Sequence, residues 1–138
     1  MRNMLYYLSM ITVIITLILL GYISYLYFID GNNILVYSKE PMKVTMNDKT
    51  IDVLIEYCRT RKAPLVTYPA YINGIMYNLI PERVAGSEAG CFKRHRLYLL
   101  PDDLPNGKYH FQVRNEVEVN PIKKVWLGWV SEEFVVNR

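Results

Sequence analysis

The strongest constraint on this chain is a long stretch without charge. Met4 to Ile29 is 26 residues long and contains no Asp, Glu, Lys, Arg or His. A helix crosses a hydrocarbon core about 30 Å thick with roughly 20 apolar residues. This run supplies about 39 Å of helix at 1.5 Å per residue, and tilt absorbs the excess. Tyr6 and Tyr7 stand at one end, and Tyr22, Tyr25, Tyr27 and Phe28 at the other. Such aromatic belts suit the two membrane–water interfaces. A cleaved secretory signal has an apolar core of only about 7–15 residues followed by small residues. Gly21-Tyr22-Ile23-Ser24-Tyr25 offers no such cleavage site, and no cysteine precedes Cys58 to carry a lipid. Residues 1–29 therefore read as an uncleaved transmembrane signal anchor.

Arg2 precedes the run, while Asp30, Lys39 and Lys43 follow it. The short charged lead and long tail favour N-in, C-out, by a slight bias of the positive-inside rule. The expected location is the inner (cytoplasmic) membrane, with the C-terminal part periplasmic. Ser9, Thr12 and Thr16 share one helix face at i, i+3 and i+7, where hydroxyls support helix–helix contact. The competing reading bonds them back to their own helix.

The chain has 138 residues, 51% of them apolar. With the anchor and a linker over 30–40 set aside, 41–138 is one small domain. Its period is that of strands. Thr50–Thr60 alternates, with Ile51, Val53, Ile55 and Tyr57 on one face. Pro64–Ile72 and Ile75–Ile80 flank Asn73-Gly74, a strong hairpin signal because both central residues of a type I′ turn take positive φ. Arg96–Leu100, Lys108–Glu118 and Lys123–Val136 complete a set of about seven short strands, which points to an all-β antiparallel sandwich.

Leu104-Pro105-Asn106-Gly107-Lys108-Tyr109-His110-Phe111-Gln112-Val113 resembles the segment leading into the penultimate strand of immunoglobulin-like and fibronectin-III-like domains. Ser131-Glu132-Glu133-Phe134-Val135-Val136 resembles their last strand. The resemblance implies an Ig-like β-sandwich behind the single helix, with Tyr109 as a tyrosine corner. The antibody pattern of paired cysteines around a core Trp is absent.

Cys58 and Cys91 are the only cysteines. An even pair in an oxidising compartment reads as one disulfide, the alternative being two free thiols. A disulfide would bring their Cα atoms about 5–6 Å apart. Two basic clusters, Arg59, Arg61 and Lys62, then Lys93, Arg94 and Arg96, would converge with them into a local patch for an anionic partner. A solvated face with the side chains pointing apart is the plainer reading. His95 and His110 match no zinc spacing, and no cofactor is expected.

Catalytic groups do not assemble in the sequence. Gly86-Ser87-Glu88-Ala89-Gly90 is not a nucleophile elbow, and Asp102-Asp103 reads as a turn rather than a calcium loop. No nucleic-acid motif is present. Trp126 and Trp129 lie on opposite faces of the last strand, so one belongs to the core and the other faces out as a candidate interface aromatic. The expected protein is a non-enzymatic, membrane-anchored interaction module. It is similar in general plan to small phage-encoded or bacterial envelope accessory proteins. The alternative is a membrane-embedded subunit of a virion or envelope machine, homo-oligomeric through its helix. A third reading has the basic patch touching lipid headgroups.

Overall fold

A computed structural model describes residues 2–29, 31, 34–84 and 88–137. Asp30 and Ser87 fall outside the described residues. Helix α1 (Arg2–Phe28) covers the uncharged run. Helix is the one local structure in which so apolar a segment satisfies its own backbone polar groups. The span Asn3–Phe28 is long and apolar enough to cross a membrane, and none of it is buried against the rest of the chain.

Nine strands follow among the described residues: β1 (Leu35–Tyr37), β2 (Lys43–Met46), β3 (Thr50–Arg59), β4 (Leu65–Asn73), β5 (Ile75–Asn78), β6 (Glu82–Val84), β7 (Gly90–Leu99), β8 (Gly107–Asn120) and β9 (Lys123–Val136). β3 is the middle of one sheet, with β7 along one side and β1 and β2 end to end along the other. β4 has β8 on one side and β5 and β6 on the other, and β9 closes the second sheet beyond β8. All these pairings are antiparallel. With β1/β2 labelled A, β3 B, β4 C, β7 E, β8 F and β9 G, the two antiparallel sheets run A-B-E and C-F-G. A parallel bridge between Met42 and Ser131 joins the sheets at one edge. There a bulge in β9 displaces the register between His110 and Gln112.

The segment 30–40, read from sequence as a linker, contains β1. Ile34 and Leu35 are buried, so the sandwich begins at 34 rather than at 41. The Asn73-Gly74 hairpin forms, but only Gly74 takes a positive φ, 65°. Asn73 remains in β4, paired with Ile75, so the turn is not type I′. Tyr109 is fully buried and donates its hydroxyl to the Pro105 carbonyl at 2.8 Å, the geometry of a tyrosine corner.

The core is in two parts. One cluster holds Met42, Ile51, Val53, Tyr71, Tyr98, Phe111 and Phe134 among others. A smaller one, toward the helix, holds Ile34, Leu35, Ala63, Leu65, Val117 and Val119. The helix end is seated on this second cluster. Ile29 packs against it, and Asn120 in the β8–β9 turn donates to the Leu26 carbonyl at 2.8 Å. The Lys123 ammonium donates to the Ile29 carbonyl. A side-chain amide and a cation thus satisfy carbonyls that a helix C-terminus leaves open. Gly31 lies so close to this seat that a Cβ there would collide with Val119 Cγ2.

Candidate functional site

A hollow polar layer separates the two cores. Side chains alternate along a strand, so the face that carries Ile51, Val53 and Ile55 also carries Tyr57 and Arg59. Their partners on β7 are Tyr98, Arg96, Arg94, Phe92 and Gly90. The inward side of β7 therefore presents two arginines where a sandwich ordinarily presents hydrophobes. Of these, Ile55, Tyr57, Arg59, Arg94, Arg96 and Tyr98 line a cavity between the sheets of about 60 Å³. Water needs on the order of 10–15 Å³ of such space per molecule, so the cavity has room for several waters or one small ligand. Tyr37, Thr67, Glu82, Tyr98 and Asn115 complete its polar lining, and Leu35, Ile55, Leu65, Val84 and Val113 its apolar lining.

Arg59 is the unusual member. It is 5% exposed, and its Nε and Nη1 are buried without a hydrogen-bond partner among the described residues. Its guanidinium stands 5.7 Å from the centre of the Tyr57 ring. Burial pushes its pKa down, opposed by Tyr57 and Tyr37, and Arg94 pushes it down further. Among the described residues no carboxylate in the cavity compensates it, because Glu82 at the mouth lies 3.7 Å from Arg96 instead. Burial also raises the Tyr37 hydroxyl against the opposing pull of Arg59. It pushes Tyr98 up to about 12, with Glu82 adding to the rise and Arg96 opposing it. Both phenols are therefore neutral at physiological pH and supply no counter-charge. Tyr37 accepts from the Asn115 amide, and Thr67 donates to Asn115 Oδ1 at 2.7 Å.

Cys58 and Cys91 form a disulfide between directly opposed residues of β3 and β7, with Cα atoms 4.0 Å apart. It is one rung from Arg59 and lies on the outer face. Alternation divides the six cations that the sequence groups around it. Arg59, Arg94 and Arg96 line the cavity. Lys93 is on the outer face, paired with Glu56 at 2.5 Å. Arg61 turns to the Val119 carbonyl at 3.1 Å, and Lys62 is exposed in the same β3–β4 turn.

The two tryptophans are also divided by the strand. Trp129 stacks on Tyr37 with ring centres 4.8 Å apart and donates to the Glu40 carbonyl at 3.0 Å. Trp126 is on the outer face, 53% exposed. Arg114 lies over its ring at 5.3 Å, and the Tyr68 ring is 5.3 Å from it, tilted by 40°. Gly128 faces Arg114 across the β8–β9 pair and puts no side chain in the way. The three border a groove of about 350 Å³ floored by Pro69 and Ala70 and flanked by Met76. In α1, Thr12 donates to the Leu8 carbonyl and Thr16 to the Thr12 carbonyl, each at 2.9 Å. These two hydroxyls of the Ser9/Thr12/Thr16 face thus use their donors within the helix. Among the described residues no three His, Cys, Asp or Glu side chains are grouped as a metal ion requires.

Sequence reasoning did not find Tyr37, Thr67, Tyr98 or Asn115. Asn115 alone had a legible signal, a lone amide at an inward position between Val113 and Val117. The chain matches no protein-family model and no curated protein sequence.

Proposed function

We propose that this chain is a single-pass, membrane-anchored, non-catalytic interaction module of the cell envelope. Its Ig-like sandwich would be held outside the cytoplasm and would meet a protein partner through the outer face of the C-F-G sheet. The observation that carries the proposal is the Tyr68–Arg114–Trp126 cluster. It is an exposed aromatic–guanidinium stack beside an apolar groove. Trp, Tyr and Arg are the residue types that dominate binding energy at protein interfaces. The anchor reading is supported by the unpacked helix. Each large apolar side chain left in water forgoes roughly 1.5–3 kcal/mol of burial, and α1 exposes more than a dozen. A bilayer removes that penalty. The disulfide supports an oxidising compartment. The phage or bacterial origin in this reading rests on general plan alone.

The test is site-specific photocrosslinking in intact cells that express the full chain. A photoreactive residue at Val130, exposed on the same face of β9 as Trp126, should give a discrete protein adduct, and one at Leu97 on the opposite sheet should not. Trp126→Ala with Arg114→Ala should remove the adduct. An adduct indifferent to both substitutions refutes the assigned surface. Labelling with a membrane-impermeant thiol reagent after reduction checks orientation: reaction at Cys58 and Cys91 without cell lysis is expected, and protection until lysis refutes N-in, C-out.

A further inference from the structure

The polar layer has a use that the outer face does not explain. We propose that the cavity between the sheets is a binding site for a carboxylate group, with Arg59 as its buried anchor and Arg94 and Arg96 at its mouth. Three guanidinium groups line one small space against a single carboxylate, Glu82, which is drawn to Arg96. A buried polar group is almost always satisfied, and an unpaired buried charge is more costly still. Yet two N–H groups of Arg59 lack partners among the described residues, and neighbouring Tyr37 and Tyr98 are neutral. An anion entering the space would satisfy donors that the protein itself leaves open.

Its chemistry follows from the walls. Guanidinium groups match planar carboxylates well. The remaining lining is mixed, with Leu35, Ile55, Leu65, Val84 and Val113 as its apolar part. The aliphatic part of the walls can take the short hydrocarbon stem of a carboxylic acid, whereas phosphate has no apolar part to place there. The same carboxylate can belong to a small free acid or to the C-terminus of a peptide.

The test uses the full chain, isotopically labelled and reconstituted in lipid nanodiscs. The Arg59 Nε–H and Asn115 side-chain amide resonances are followed during titration. The probes are butyrate, inorganic phosphate, and a short peptide ending in a hydrophobic residue as free acid or as amide. Butyrate should shift both resonances saturably. Arg59→Met should weaken the Asn115 response at least tenfold, about 1.4 kcal/mol. Arg94→Gln, an exposed change that leaves the core intact, should weaken it several-fold, and Arg61→Gln should not. If butyrate and the free-acid peptide both bind and the amide does not, the ligand is a chain terminus. If butyrate binds alone, it is a small acid. No saturable response to butyrate, a response to phosphate alone, or an Asn115 shift whose affinity in Arg59→Met is the same as in the unaltered chain each overturns the proposal.

Discussion

Replacement of Arg59 by methionine should make the protein more stable. The side chain is 5% exposed, with two N–H groups unpaired. An unsatisfied buried donor costs about 1–3 kcal/mol. Against this stands the loss of the guanidinium–ring contact with Tyr57 at 5.7 Å, worth about 0.5–1 kcal/mol. Methionine keeps an unbranched, flexible stem that fills irregular space, so no large void opens. Two such donors against one ring contact leave a gain of about 1–5 kcal/mol, in line with the stabilisation seen when buried charges are replaced by hydrophobes of similar volume. For a domain of this size each kcal/mol moves the melting temperature by about 4–8 °C. The assay is thermal unfolding of the full chain in detergent, followed by fluorescence of Trp129, which stacks on Tyr37 beside the cavity. Arg59→Ala serves as the contrast, because it removes the stem as well as the charge and leaves a cavity that lowers stability. A fall in melting temperature for Arg59→Met refutes the reasoning. So does a change within about 0.5 kcal/mol, the ordinary range for a surface substitution, because either result means that the guanidinium is already satisfied.

Reduction of Cys58–Cys91, or Cys58→Ser with Cys91→Ser, should lower stability by about 3–4 kcal/mol, the loop-entropy value for a separation of 33 residues; denaturant unfolding with and without reductant measures it. Gly31→Ala should destabilise by about 1–3 kcal/mol through overpacking, since its Cβ would collide with Val119 and meet Val125 at 2.9 Å. The loss should be smaller in a Val119→Ala background, which a double-mutant cycle tests. Alkaline pH should unfold the sandwich early. Tyr98 is raised from 10.0 to about 12 and Tyr37 is raised too, so above pH 10 the unfolded state has released protons that the native state still holds, and stability falls as pH rises. Ultraviolet titration of tyrosinate should show these two ionising only with the unfolding transition; smooth titration of every tyrosine in the folded protein contradicts the assignment.

The long elements were legible in the sequence because one physical signal dominated each. The uncharged run could only be helix, and the alternation of β3, β8 and β9 followed burial on one face. β7 was read only from Arg96 onward, although it begins at Gly90. Its inward positions include Arg94 and Arg96, and its outward ones Lys93 and His95, so the apolar–polar alternation that marks a half-buried strand is missing. What hid the strand is the same feature that makes the cavity. Tyr37 was illegible for a different reason: it lies on a three-residue strand whose place is fixed by pairing with residues about twenty positions away. The bulge in β9 was equally invisible. It leaves both Glu132 and Glu133 exposed where strict alternation would have turned one inward.

The disulfide and the cavity belong to one arrangement. The polar layer interrupts the core, and the smaller cluster beyond it has six buried hydrophobes among the described residues. Packing alone holds the two sheets less firmly there than in the larger cluster. The disulfide joins β3 to β7 one residue before Arg59 and three before Arg94, so it fixes the strand that carries the buried cation to the strand that carries the mouth. Reduction should therefore act locally before it acts globally. Amide exchange in β7 and the lower part of β3 should accelerate first, while β4, β8 and the tyrosine corner remain protected. Uniform acceleration across both sheets would show instead that the two clusters open as one unit, and that the hollow layer does not divide the core energetically.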